Sequence, residues 1–515
     1  AFGAMALLGK DLNIITLVLG PMLICVGSVY GVHVTAQYEV ISTEVDTPER
    51  AALQTLEYTR TPVLMAGFTT CVGFGALLLA KVQATTELGG FSVLGVAAVT
   101  LLSLTGVPAT LALLPLERPG GAEGGPLYAH RTRLSARVGA AIDRGLDTVA
   151  RWNIRHPGRL LIFWSLVTIV AALLIPRIVI DTDYLTVFDS DSRVRTDFAA
   201  VNRLMAGAIP IYVVFEGQGE GAFRDPEVLH AIETVQRELE LIPGVSQTLS
   251  MVDFVRLVNR AFEGGAPYED RIPSTRGGVS ETVFAVPKEK LRRFATSNHS
   301  SANLVVRTGR LGSAAMRELE SAIHEAVARV PLPPGIRYAV TGNAILMNRS
   351  ADGIAGNQFN QVGFATVTIL ILVCLVFRSV RIGLIAMVPN IVPVLLFFGA
   401  LGAGASSLSI ATGLIGSIAL GIAVDDTVHF LGTYHRARIS GRGPEEAVAH
   451  TVRRVGRPIV MTSIMLIVGF LVLLVSGFVT LREFGYLTAM TMAICLSTDL
   501  ALLPALLVLA GYRRP

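Results

Sequence analysis

The two ends of this chain repeat one another in one register, 396 residues apart, the separation of His33 from His429. Gly3 falls on Gly399, Leu12 on Leu408, Thr16 on Thr412 and Gly20 on Gly416. Further along, Tyr38 meets Tyr434, Pro62 meets Pro458, and Val72-Gly73-Phe74 meets Val468-Gly469-Phe470. Glu87 meets Glu483, and Pro108-Ala109 meets Pro504-Ala505. A register kept without a gap from Gly3 to Ala109 means one structural unit used twice. The expected architecture is two pseudo-symmetric copies of one bundle.

Composition says what the bundle is made of. With 52% hydrophobic and only 16% charged residues, the chain reads as a multi-span membrane protein. The second copy offers six apolar runs: Leu160–Ile175, Gln361–Phe377, Ile382–Gly404, Leu408–Leu431, Pro458–Phe478 and Tyr486–Leu509. The first offers Leu12–Gln37, Pro62–Leu79 and Phe91–Leu114, preceded by a stub at Ala1–Leu8. Arg159 to Leu396, 238 residues, has no counterpart ahead of the first copy, so an upstream segment of about that length is expected.

Arginines set the orientation. Arg436, Arg438, Arg442, Arg453, Arg454 and Arg457 share one loop region, Arg378 and Arg381 another, and Arg513-Arg514 end the chain. With Arg131 to Arg155 they fall on one side if the spans alternate, which makes that side cytoplasmic. Such basic residues report topology, and no nucleic-acid partner is expected. Gly120–Gly125 reads as a joint, and Leu134–Ile154 as a helix on the membrane surface or a solvated connector. Thr47-Pro48-Glu49 and Gly443-Pro444-Glu445 read as starts of short cytoplasmic helices. Cys25, Cys71, Cys374 and Cys495 sit far apart in apolar runs, as small buried hydrophobes. No Walker A, HExxH or CxxC pattern occurs, so neither ATP hydrolysis nor a zinc site is indicated, and no cofactor is expected beyond a proton gradient.

A soluble insert interrupts the second copy. Ile209–Glu216 alternates like a strand, Asp225-Pro226 caps a helix with Leu229, Ile232, Val235 and Leu239 on one face, and a strand follows near Ser246–Leu249. Asn303–Arg307, a helix bearing Met316, Leu319, Ile323 and Val327, and Ile336–Thr341 repeat that pattern. Two β-α-β pieces suggest a split ferredoxin-like α+β domain. Asp253–Ser300 reads as an irregular insertion. The expected division is 1–116 (end of the first bundle), 117–158 (linker), 159–180 (one span), 181–357 (soluble domain) and 358–515 (the remaining spans).

The chemistry concentrates in Ala423-Val424-Asp425-Asp426-Thr427-Val428-His429. A mid-membrane Asp disfavours insertion by about 2.5–3.5 kcal/mol, so two in a row must face the bundle interior and find partners. His429 follows Asp425 by four residues and Asp426 by three, which puts it on a shared helix face. Two neighbouring carboxylates in a dry site resist ionising together, so one can carry and release a proton. That suggests a proton relay; a purely structural polar patch is the plainer reading. The equivalent positions in the first copy hold Val29 and Tyr30, with His33 matching His429, so Tyr30 and His33 are candidate partners, and Leu12–Gln37 is expected to pack directly against Leu408–Leu431. Asp499 reads chiefly as a buried hydrogen-bond partner, and Asn390, between Pro389 and Pro393, as a group serving backbone at a broken helix.

These pieces carry a family resemblance. Gly421 to His429, Val388-Pro389-Asn390-Ile391-Val392-Pro393, Phe223-Arg224-Asp225-Pro226 and Leu503-Pro504-Ala505-Leu506-Leu507 resemble the RND (resistance-nodulation-division) superfamily, most closely its hydrophobe/amphiphile exporter branch, which includes hopanoid transporters and is related to the MmpL lipid exporters. The resemblance implies twelve spans, periplasmic porter-like domains and proton-driven export of lipid-like molecules across a bacterial inner membrane. It makes Asp425 and Asp426 the relay acids of the tenth span, while Val29-Tyr30 departs from the acid-containing pair of the fourth. The expected partners are membrane lipids, a lipid-like substrate and further copies of the chain as a dimer or trimer. Other readings of the same architecture are a sterol or lipid sensor and a protein-export accessory; an enzyme is not indicated.

Overall fold

The computed structural model describes residues 1–115, 126–183, 185–265 and 270–511, without the side chains of 126–138, 350–352 and 354–356. The joint at Gly120–Gly125 and the terminal Arg513-Arg514 lie outside the described residues. The chain forms two units, Ala1–Val179 with Gly353–Pro515, and Ile180–Asp352.

Among the described residues of the first unit, nine helices are long and apolar enough to cross a membrane. They are α1 (Thr16–Ile41), α2 (Pro48–Leu79), α3 (Gln83–Leu113), α4 (Pro157–Arg177), α5 (Asn357–Phe377), α6 (Val380–Gly402), α7 (Ile410–Ile439), α8 (Pro444–Val475) and α9 (Val479–Ala510). The chain is a mainly helical, multi-pass membrane protein. Its central helix is α7, nearly all of whose apolar stretch is enclosed by the others.

Prolines do less damage here than the sequence suggests. The short helices expected at Pro48 and Pro444 are not separate: each is the opening of one long helix that runs on through Pro62 or Pro458. Nor is there a break at Asn390, because α6 is continuous through Pro389 and Pro393. An internal proline removes one backbone hydrogen bond, and packed neighbours can supply a substitute donor. Pro393 frees the Pro389 carbonyl, and Thr498 Oγ1 donates to it at 2.9 Å. Pro504 frees the Leu500 carbonyl beside a π-helical turn at Thr498–Leu502, and Asn153 Nδ2 donates to it at 2.6 Å. That bond, with buried Leu146 and Ala150, seats the helix Pro126–Arg155 against the bundle. Asn153→Leu is expected to lower stability by about 1–3 kcal/mol through the orphaned carbonyl, read as a lower unfolding temperature in detergent.

Glycines set the helix crossings. A Cβ on Gly73 of α2 would sit 2.6 Å from the Gly421 Cα of α7, so those backbones touch. A Cβ on Gly469 of α8 would collide with the Cys25 sulfur of α1. Cys25 and Gly421 are 396 residues apart, as are Gly73 and Gly469. The consequence corrects an expectation: α1 does not lie along α7. Close approach at these small residues brings α7 against α2 and α1 against α8. Other contacts recur at the same separation. Asn13 and Thr16 cap one another at the start of α1 as Ser409 and Thr412 do at α7. Lys10 pairs with Glu87 at 3.0 Å, where Ser406 meets Glu483 at 3.4 Å.

Arg436, Arg438, Arg442, Arg453, Arg454 and Arg457 lie around the junction of α7 and α8, the basic end of this unit. Arg453 pairs with Asp147 at 2.9 Å, and Arg381 donates to the Ala510 carbonyl at 2.7 Å.

The second unit holds a four-stranded antiparallel sheet of β1 (Ile209–Glu216), β2 (Val245–Leu249), β3 (Ser301–Thr308) and β4 (Arg337–Thr341), ordered β2-β3-β1-β4. Alternation in β1 buries Ile211, Val213 and Phe215 on one face. Helices Pro226–Glu240 and Ser313–Arg329 bury Leu229, Ile232, Met316 and Ile323 in the same core. The stretch read as irregular contains three helices, Met251–Phe262, Arg276–Ala285 and Lys288–Leu291. The first begins at a capping box between Ser250 and Asp253.

Candidate intramembrane relay

The site forms where α7 carries two adjacent carboxylates through the bundle interior. Asp425 and Asp426 are 5% and 9% exposed. Adjacent helical positions point about 100° apart, so the two acids reach different neighbours. Asp425 Oδ1 lies 3.4 Å from His429 Nε2, one helical turn on. The His429 ring stacks on that of His33 from α1, with centroids 4.3 Å apart and planes 7° apart. Asp426 turns toward α8, where Ser463 Oγ donates to it at 3.1 Å and Thr462 Oγ1 at 3.5 Å.

Asp499, on α9, belongs to a separate chain of contacts that reaches α7 through Thr427. Thr427 Oγ1 donates to Asp499 Oδ1 at 2.6 Å, and Asn390 Nδ2 donates to Thr427 at 3.0 Å and to the Ala386 carbonyl at 2.7 Å. Asn390 thus ties α6 to α7 and serves no break in its own helix. Tyr30 reaches no carboxylate: its hydroxyl hydrogen-bonds Thr70 Oγ1 at 3.1 Å. Thr70 in turn donates at 3.2 Å to the Gly421 carbonyl, one turn before Asp425.

A cavity of about 110 Å³ reaches the imidazoles from the basic end. His33, His429, Tyr58, Thr433, Arg436 and Arg454 are among its lining residues. The structure therefore brings Asp425, His429 and His33 together, gives Asp426 its own hydroxyl partners, and keeps Tyr30 one residue removed. Sequence reading missed Thr70, Thr427, Thr462 and Ser463. The signal was present, since hydroxyl side chains recur within apolar runs, but their meeting depends on the crossings. His33, Asp425 and His429 each offer one ligand atom, all within 4.8 Å of one another, so this group could also hold a divalent cation.

The model of the MMPL family matches residues 5–153 and 189–515. The chain belongs to the MMPL family. MMPL proteins are part of the RND superfamily and are transporters. This MMPL chain is also similar to a membrane protein of Methanocaldococcus jannaschii, with 23% identity over 372 residues, 71% of this chain and 93% of that protein.

Proposed function

We propose that this MMPL-family chain is a proton-driven exporter of hydrophobic or amphiphilic, lipid-like molecules. The observation that carries the reading is the enclosed pair Asp425–Asp426, divided between two sets of partners on different helices. Asp425 faces imidazoles that can hold a proton, and Asp426 faces hydroxyls that can only orient one. With Asp425 ionised and the imidazole pair carrying one proton, α1 and α7 are held together by charge. A proton delivered to Asp425 discharges that contact and frees α1 to shift against α7. Moving one charge through the membrane is worth about 2.3 kcal/mol per 100 mV, enough to bias two packings of a bundle. Asp499, through Thr427, couples the same helix to α9 and α6. Tyr30 supports the site through Thr70, so Tyr30→Phe is expected to slow export only a few-fold, as for one lost hydrogen bond.

The contacts repeated at a separation of 396 support reading the bundle as two copies of one unit. The sheet order and its two helices support a ferredoxin-like porter domain. In this reading the basic end faces the cytoplasm and Ile180–Asp352 is exposed on the periplasmic side of an inner membrane. Membrane lipids and further copies of the chain are its expected partners.

The test starts from lipids that co-purify with the protein, identified by mass spectrometry and loaded into vesicles reconstituted with it. An imposed pH gradient is expected to move them, and a protonophore to stop the movement. Movement at an equal rate without the gradient would overturn the reading. Chelators are expected to leave export unchanged; loss of export on chelation would indicate a metal at His33, Asp425 and His429 in place of a free proton.

A further inference from the structure

The soluble unit carries a second site, in the three-helix insertion, that the relay does not use. A groove of about 870 Å³ runs along it, walled by Phe262, Val283, Phe284, Val286 and Leu291. Phe284 is 88% exposed and Phe262 61%, an unusual display of aromatic surface on a soluble fold. Arg224 and His299 close one end of the groove, and Glu281, Lys288 and Arg292 line it too. Beyond Arg224 lies a polar hollow that shares Arg224, Ser280 and Ser297 with the groove and adds Glu220, Arg276 and Asn298. An apolar groove thus opens onto a polar end in which two arginines, Arg224 and Arg276, outnumber one acid, Glu220.

His299 shows that this end is built to receive something. Arg224 Nη2 lies 3.2 Å from His299 Nδ1. A guanidinium can only donate, so Nδ1 accepts, and a neutral ring must carry its proton on Nε2. Burial, and then the Arg224 charge, hold His299 below the usual histidine range, which keeps the ring neutral at pH 7. That Nε2–H is buried and has no acceptor, and the Nε–H of Arg224 is in the same condition. His299 is 6% exposed, and its backbone is held at φ 55°, a left-handed conformation costly for a non-glycine residue. The Phe223 amide, donating to the His299 carbonyl at 3.1 Å, helps fix it there. Two buried donors without acceptors, beside a strained residue and under a positive charge, call for an anionic oxygen.

We propose that this insertion binds an amphiphile with an anionic headgroup, its carboxylate or phosphate oxygens taken by Arg224 and His299 and its apolar tail laid along Phe262, Phe284 and Leu291. The inference narrows the substrate class of the exporter and rests on that reading for its place in transport; binding itself does not depend on it.

The test uses the full chain in lipid nanodiscs and a long-chain fatty acid bearing a photoreactive diazirine in its tail. Cross-links are expected within residues 280–296, and the neutral methyl ester is expected to give about ten-fold less labelling there, as for one lost charge-assisted contact. Arg224→Gln should reduce labelling to a similar degree. Phe284→Asp should reduce it as well, and since that side chain is exposed, its loss cannot be blamed on misfolding. Inorganic phosphate at millimolar concentration should not compete. Equal labelling by the methyl ester, labelling unchanged in both variants, or displacement by inorganic phosphate would each overturn the proposal. Labelling that persists where no gradient-driven export is found would leave this site standing and remove the exporter; export without labelling would do the reverse.

Discussion

In vesicles with an imposed pH gradient, Asp425→Asn is expected to reduce export to the level of protein-free vesicles, while the protein still folds. Asn keeps the shape of the side chain and removes its titration, so the variant separates chemistry from packing. Asp425 is 5% exposed and its nearest charge-capable partners are His429, 3.4 Å away, and the stacked His33. Without a carboxylate there, a proton has no charge to discharge between α1 and α7. Asp426→Asn is expected to be as severe for export, but with hydroxyl partners at Ser463 and Thr462 retained. Gradient-driven export in the double variant, with an unfolding temperature near that of the parent, would return both acids to a structural role.

The second large effect is mechanical. Gly73→Leu or Gly421→Leu is expected to destabilise the bundle by more than about 3 kcal/mol, because overpacking at a backbone contact cannot relax by moving a side chain. Even a Cβ on Gly73 would stand 2.6 Å from the Gly421 Cα. The measurement is thermal unfolding in detergent, with size-exclusion profiles to detect misassembled protein. Gly31→Ala and Gly432→Ala are the controls, since a Cβ at either meets nothing within 4 Å. These two should be neutral or raise stability by about 0.5–1 kcal/mol, the ordinary gain from replacing a mid-helix glycine. Equal behaviour of the two pairs would mean that the crossing does not depend on glycine.

The spans were legible because hydropathy is a local property: an apolar run long enough to cross a bilayer has few other fates. Their ends were less so, and proline is the reason. Pro62 and Pro458 looked like boundaries, whereas α2 and α8 run through both. Whether a freed carbonyl finds a donor depends on a residue far away in sequence, as Thr498 is from Pro389. The capping box at Ser250 and Asp253 was readable, yet the insertion's three helices are short and are held by Val255, Val279 and Leu291 buried in a core shared with strands and helices distant in sequence. At the candidate site, the 396-residue register aligned His33 with His429 and offered it as a partner for the acids; its ring stacks on that of His429, which stands 3.4 Å from Asp425. The same register suggested that α1 would lie along α7, but crossing geometry exchanges the partners. Tyr30 was drawn toward the acids by its alignment beside them, and Thr70 stands between.

The most direct measurement of proton coupling records two fluxes at once. Vesicles reconstituted with the protein would report lumenal pH by an entrapped dye and substrate by a labelled lipid that co-purifies with it. The prediction is that adding substrate opens a proton flux, that the two fluxes rise and fall together as the gradient is varied, and that both vanish in Asp425→Asn. Substrate movement with no accompanying proton flux, or proton flux unaltered in Asp425→Asn, would contradict it.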